Sequence, residues 1–139
     1  MEKSDFNPLF SVEHSLHVAR ILQENVTFKD MKAENSVGLC HTTLYKIEKH
    51  GNYNVISLLK FAELVGKRIY FDGQPVYNLQ DIGEIFRRLR QKSQLTILDI
   101  YEKTKIYPYM VSKIESGKSY SKATLVKYLM LFPIDIKIK

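Results

Sequence analysis

The chain has 139 residues, enough to bury one modest hydrophobic core or two very small ones. Apolar residues make up 45% of it and charged residues 26%, a composition typical of a folded globular protein. Its apolar runs are far shorter than the roughly 20 residues of a membrane-spanning helix, the first residues lack the pattern of a signal peptide, and the single cysteine, Cys40, excludes an internal disulfide. We therefore expect a cytoplasmic protein without a membrane partner.

The net charge of +6 is unevenly distributed along the chain. Residues 1–75 contain nine Lys or Arg and nine Asp or Glu, whereas residues 76–139 contain twelve and six. A basic surface attracts polyanions because binding releases their counterions. A charge of this kind is typical of proteins that bind nucleic acid or an anionic membrane surface, although a basic face is often only solvated.

An internal repeat relates the two halves. Residues 44–48 (LYKIE) align with residues 111–115 (VSKIE) at an offset of 67 residues. The same offset aligns further apolar pairs: Val18 with Ile85, Leu22 with Leu89, Leu58 with Leu125, Leu64 with Leu131, and Ile69 with Ile136. Because a repeated pattern of this length indicates a repeated structural unit, we expect two units, residues 1–75 and residues 76–139. Each is predicted to contain four helices followed by a short strand.

In the first unit, Thr27 and Asp30 form a T-x-x-D signature that can cap the start of its second helix. A longer connection, residues 34–38, precedes the third helix. Residues 67–71 predict a strand before an Asp72-Gly73 turn.

In the second unit, apolar residues at helical spacing predict a first helix near residues 81–92. Thr96 and Asp99 repeat the capping signature at the start of the second helix. Pro108 is favoured in the first turn of a helix and predicts a third helix near residues 108–116, which Gly117 can end.

The fourth helix of the second unit can begin after Ser121 and stops at Pro133. Residues 134–138 alternate between apolar and charged side chains, as a half-buried strand does. The sequence thus predicts a mainly α-helical protein.

The order of these elements, with the run from Leu95-Thr96 through Ile100 and Ile106 to the Ile-Glu-Ser-Gly of residues 114–117, resembles the Xre/Cro, or phage-repressor, helix-turn-helix family. Residues 82–133 resemble it most closely, and residues 15–66 less so. The family usually has glutamine, alanine and glycine where this chain has Ile97, Tyr101 and Lys105. The resemblance implies tandem lambda-repressor-like helix-turn-helix units.

The strand after each unit resembles antitoxins of the Hip type, in which such strands from two subunits pair across a dimer axis. Here one chain could supply both strands and form an intramolecular pseudodimer, which would also cover two strand edges. This hypothesis predicts antiparallel pairing of residues 67–71 with residues 134–138. The alternative is a local hairpin of residues 70–77 around the Asp72-Gly73 turn.

The resemblance also implies which residues contact DNA, because in this family the third helix enters the major groove. In the second unit, Met110, Val111 and Ile114 are expected to face the core and three side chains to face outward. The outward residues are Tyr109, Ser112 and Lys113 in the second unit, and His41, Thr42, Tyr45 and Lys46 in the first. The predicted phosphate contacts are Thr96, Lys118 and Lys122.

Arg87, Arg88 and Arg90 lie on the first helix of the second unit, where they could contact the DNA backbone or form a solvated face. Glu48 and Glu115 are expected to brace helix ends rather than to act in catalysis. No glycine loop, nucleophile elbow or paired carboxylates predict an enzyme, and we expect no cofactor and no metal.

The sequence therefore predicts a double-stranded DNA-binding protein, a repressor-like transcriptional regulator that occupies an operator. The alternative is an antitoxin-like or other protein-interaction module whose partner is a protein such as a toxin. A homodimer remains possible in either case.

Overall fold

The computed structural model describes residues 7–22 and 39–139. These residues form seven helices and three short strands, so the prediction of a mainly α-helical protein is confirmed. In chain order the elements are α1 (Phe10–Leu22), α2 (His41–Glu48), α3 (Val55–Leu64), β1 (Ile69–Phe71), β2 (Gln74–Val76), α4 (Leu79–Lys92), α5 (Ile97–Thr104), α6 (Pro108–Glu115), α7 (Lys122–Leu131) and β3 (Ile136–Ile138). The predicted cap at Thr27 and Asp30 and the connection at residues 34–38 lie outside the described residues.

Local side-chain chemistry explains where the helices of the second half begin. Asn78 caps α4 by accepting a hydrogen bond from the Asp81 amide, so the helix begins at Leu79, two residues before the predicted start. Thr96 caps α5, and Ser121 caps α7, each as predicted. Pro108 occupies the first turn of α6, where its missing N–H leaves no helical bond unmade.

Three elements of the first half and three of the second have the same bounds after a shift of 67 residues. The matched pairs are α2 with α6, α3 with α7, and β1 with β3. The repeat found in the sequence is therefore also a repeat of secondary structure over these elements.

The three strands form one sheet in the order β2-β1-β3, and β1 is antiparallel to both neighbours. Asp72 and Gly73 connect β1 to β2 and both have positive φ, 53° and 81°, as the tightest hairpin turns require. Both arrangements considered for this segment are thus present together: the local hairpin and the antiparallel pairing with the last strand.

The pairing of β1 with β3 has a two-fold register. Tyr70 lies opposite Lys137, and Lys137 is also the residue that the 67-residue shift makes equivalent to Tyr70. On either side, Ile69 pairs with Ile138 and Phe71 with Ile136, and the shift exchanges these two pairs. The two strands therefore contact each other as two equivalent segments do across a two-fold axis.

A second contact between the halves has the same symmetry. The Val55 amide donates to the Tyr120 carbonyl at 2.9 Å, and the Lys122 amide donates to the Tyr53 carbonyl at 2.7 Å. The 67-residue shift exchanges these two hydrogen bonds. Between them lies an isolated antiparallel bridge of Asn54 with Ser121.

The two halves share one hydrophobic core. Its buried residues run from Leu9 in the first half to Phe132 in the second. Phe86 packs edge-on against Phe71 of the other half, with ring centroids 6.3 Å apart, and against Tyr128 at 4.5 Å. Burial of apolar surface therefore holds the halves together in addition to their backbone contacts.

Gly83 lets α4 approach the C-terminal end of α6. A Cβ at this position would lie 2.5 Å from the Ile114 carbonyl oxygen and 2.7 Å from that of Glu115. Both atoms belong to the backbone, so neither can move aside without displacing α6.

We expect Gly83→Ala to lower the free energy of unfolding by roughly 3 kcal/mol, since overpacking a rigid contact displaces backbone. Chemical denaturation measures it. Gly51→Ala is the matched control, because its added Cβ would meet its nearest atom, the Lys46 carbonyl oxygen, at 3.4 Å. Equal stability of the two variants would contradict the close approach of α4 and α6.

Candidate nucleic-acid interface

Helices α5 and α6 are joined by the three-residue turn Lys105-Ile106-Tyr107. Lys105 has a φ of 63°, so this lysine takes the left-handed conformation that glycine adopts most easily. Ile106 is buried and draws the turn toward the core. The two helices are consequently held as a compact pair.

One side of α6 faces the core and the other faces solvent. Val111 and Ile114 are buried, as predicted, while Met110 is half-buried against the core. Tyr109 and Ser112 are exposed and Lys113 is partly exposed. Their spacing of three and four residues places these three predicted contact residues on one helix face.

A stack of three tyrosines extends this face toward the turn. Tyr101 and Tyr107 have ring centroids 5.4 Å apart, and Tyr107 and Tyr109 are 6.1 Å apart with an interplanar angle of 15°. Tyr107 and Tyr109 are 57% and 63% exposed, although tyrosine usually buries its ring. Tyr107 was not among the residues predicted to contact DNA, and its position before Pro108 was the available signal.

The equivalent helix of the first half also exposes its predicted residues. His41, Thr42, Tyr45 and Lys46 of α2 are all exposed, whereas Leu44 and Ile47 are buried. Lys49, which the sequence analysis did not select, is exposed one turn after Tyr45 and places its Nζ 5.6 Å from the centroid of that ring. The structure thus adds a cation to this face.

A buried carboxylate anchors the end of each exposed helix. Glu115 of α6 accepts two hydrogen bonds from Arg90, at 2.6 and 3.0 Å, and lies 3.8 Å from Arg87. Burial and the Glu115 carboxylate raise the pKa of Tyr128, whose hydroxyl lies beside it. The hydrogen bond to Glu115 in turn raises the pKa of Arg90.

Glu48 of α2 is anchored in the same way. It accepts hydrogen bonds from Arg20 at 2.5 and 2.8 Å and pairs with His17, both on α1. Glu48 and Glu115 therefore brace helix ends, as the sequence analysis expected. Arg90 and Arg87 have this intramolecular role, whereas Arg88 pairs with Glu84 one turn away at the surface.

Two of the three predicted phosphate contacts are accessible. Lys118 is exposed, and so is Thr96, which caps α5 by accepting a hydrogen bond from the Asp99 amide at 3.1 Å. The Thr96 hydroxyl can still donate its proton. Asp99 accepts from the Thr96 amide at 2.8 Å, and this bond lowers the pKa of Asp99. Its carboxylate therefore places a negative charge at the start of α5.

The prediction for Lys122 is wrong. Lys122 is buried, and its Nζ lies 2.6 Å from a carboxylate oxygen of Glu13 on α1 and 3.2 Å from the His50 carbonyl. An ammonium group in this environment cannot reach a phosphate. Its charge and its place at the start of a helix suggested phosphate binding, but the acid that neutralises it comes from the other half of the chain.

No family model, curated protein or solved structure matches this chain. The resemblance to the Xre/Cro family therefore rests on the sequence run and stays a prediction. Among the described residues, no group of three or more His, Cys, Asp or Glu is placed to hold a metal ion. Nor does any helix in that part of the chain combine the length and the apolar character needed to cross a membrane.

The capping carboxylate makes the stability of α5 depend on pH. A carboxyl group with a lowered pKa stabilises the fold above its unfolded pKa and loses that effect as the pH falls through its folded pKa. We therefore expect Asp99→Asn to be less stable than the wild type at neutral pH, with the difference vanishing in acid. Thermal unfolding across this range measures it. Glu102→Gln, on the same helix, is the control, and a pH-independent deficit in Asp99→Asn would contradict the assignment.

Proposed function

We propose that this protein binds double-stranded DNA with sequence specificity and regulates transcription by occupying an operator. One observation carries the proposal: α2 and α6 occupy equivalent places in two halves with two-fold contacts, and each exposes a polar face. In this proposal α5 and α6 form a helix-turn-helix unit and the chain is an intramolecular pseudodimer. An exposed helix of this kind fits the major groove, whose base edges offer donors and acceptors.

The charges and hydrogen-bonding groups on the two faces support this function. Lys46 and Lys49 lie on or beside the α2 face, and Lys113 and Lys118 lie on and just after α6. Lysines of this kind attract phosphates, and hydroxyl groups such as that of Ser112 can bond to base edges or phosphates. The Tyr109 ring offers an apolar surface for a thymine methyl group.

The two-fold contacts favour half-sites in inverted orientation, since the halves face the DNA as two subunits of a dimer would. Their centres would lie about one helical turn apart, roughly 34 Å. The equivalent residues differ, with Thr42 and Tyr45 in the first half where the second has Tyr109 and Ser112. We therefore propose an operator composed of two different half-sites.

Selection of bound duplexes from a random DNA pool tests this function. We expect the wild-type chain to enrich one motif with two parts. Ser112→Ala with Lys113→Ala should relax the part that the second half reads, because it removes two polar contacts worth about 1–3 kcal/mol each. Tyr45→Ala with Lys46→Ala should relax the other part.

Lys137→Ala is the control, because Lys137 belongs to the sheet and carries the same charge. This variant should enrich the wild-type motif. If the wild type enriches no motif even at low salt, DNA reading is wrong, and the partner is to be sought among proteins. If only one double variant changes the motif, then only that half reads DNA.

The single cysteine provides a direct test of the first half. Cys40 is exposed immediately before α2, and its hydrogen bond with the Thr43 hydroxyl lowers the pKa of its thiol. The thiolate is the reactive form, so we expect iodoacetamide to alkylate Cys40 readily in the free protein and more slowly with the selected duplex bound.

Mass spectrometry measures the alkylated fraction over time. Thr43→Val should slow alkylation with or without DNA, which separates thiol reactivity from DNA protection. Unchanged alkylation of Cys40 under saturating duplex would show that the first half does not lie on the DNA.

A further inference from the structure

A buried ion pair crosses between the two halves at the bridge of Asn54 with Ser121. Glu13 on α1 has no exposed surface, and Lys122 at the start of α7 is 6% exposed. Their charged atoms are 2.6 Å apart. Of the ion pairs between described residues, this one alone joins the two halves.

The remaining hydrogen-bonding capacity of Glu13 is also used. Its carboxylate accepts hydrogen bonds from the Tyr53 hydroxyl at 2.5 Å and from the side-chain amide nitrogen Nδ2 of Asn7 at 3.1 Å, and it lies 2.8 Å from His50 Nδ1. A buried carboxylate with all of these partners has one preferred geometry. If its partners move away, its charge is left unpaired where water cannot solvate it.

The equivalent site on the other side of the two-fold axis has no such pair. Under the 67-residue shift, the equivalent of Glu13 is Gln80 and the equivalent of Lys122 is Val55. The Tyr120 hydroxyl, equivalent to that of Tyr53, is buried without a hydrogen-bond partner in the part of the chain that the structure describes. The ion pair is therefore not required by the symmetric contact itself.

The ion pair lies beside the loop that follows α2 and at the end of the loop that follows α6. His50 lies two residues after α2 and also accepts, through its carbonyl, a hydrogen bond from Lys122 Nζ. The Ala123 amide donates to Asn52 Oδ1 at 3.1 Å beside it. Lys122 itself follows the loop that leaves α6. The ion pair and these hydrogen bonds thus join the segments that follow α2 and α6.

We infer that Glu13 and Lys122 are positioning residues that fix the distance between α2 and α6. Building on the proposed function, this pair also sets the spacing that the protein accepts between its two half-sites. Glu13→Gln with Lys122→Met removes both charges and keeps similar side-chain volumes, so neither charge is left buried and unpaired.

The distance between the helices can be measured without DNA. Spin labels at Tyr45→Cys and Ser112→Cys, in a Cys40→Ser background, report it by pulsed electron resonance. We expect one narrow distance distribution in the otherwise wild-type chain and a broad or shifted one after Glu13→Gln with Lys122→Met. Glu84→Gln with Arg88→Met, which removes an exposed ion pair within one half, is the control and should keep the distribution narrow.

A narrow, unshifted distribution in the double variant, or equal broadening in the control, would overturn the inference. Cooperative thermal unfolding establishes that each variant folds. If the double variant does not fold, Tyr53→Phe takes its place, since it removes a single hydrogen bond to Glu13, and its distribution should broaden in the same direction. An unchanged distribution in Tyr53→Phe would then overturn the inference.

Duplexes carrying the selected half-sites test the consequence for DNA. One base pair inserted between the half-sites moves one of them by about 3.4 Å relative to the other and rotates it by about 35°. The insertion should lower the affinity of the wild type for the duplex by roughly tenfold or more. It should lower the affinity of the double variant by less than about threefold. Equal losses would overturn the role in spacing. Failure of both proteins to bind any duplex would instead refute the proposed function and leave the distance measurement as the test of the ion pair.

Discussion

The antiparallel pairing of β1 with β3 determines how the two halves face each other. Its register is set by burial, because Ile69 and Phe71 point into the shared core while Tyr70 between them faces the other side of the sheet. A slip of one residue would turn both apolar side chains outward. The hydrophobic effect thus selects the one register in which Tyr70 lies opposite Lys137, and this register sets how the two strands align the halves.

Helices α2 and α6 are anchored on the side that faces the rest of the protein, so their exposed faces stay accessible. Glu48 fixes the end of α2 to α1, and Glu115 fixes the end of α6 to α4. Each does so through an arginine, whose planar group matches a carboxylate with two hydrogen bonds. The arginine that makes the close pair is Arg20 in one half and Arg90 in the other. Arg90 lies three residues beyond the position equivalent to Arg20, so it remains on the same helix face. The two halves therefore keep the same brace with different residues.

Local sequence signals predicted the parts of the fold that depend on neighbouring residues. Thr96, Pro108 and Ser121 act on amides or dihedral angles within a few positions, so their effect on helix starts could be read directly. The partner of Lys122 could not be found this way, because Glu13 meets it only after both halves have folded. The need for a glycine at position 83 could not be found this way either, because it arises only when the backbone of α6 packs against α4.

Strands that pair across a two-fold axis usually come from two molecules, whose association weakens on dilution. Here both strands belong to one polypeptide, so the local concentration of each strand around the other is set by the intervening chain and is unaffected by how many copies are present. Each half can also acquire substitutions independently, as the unmatched Gln80 and Val55 illustrate. Covalent linkage thus makes the pairing of β1 with β3 independent of protein concentration, and it lets the two halves differ in sequence.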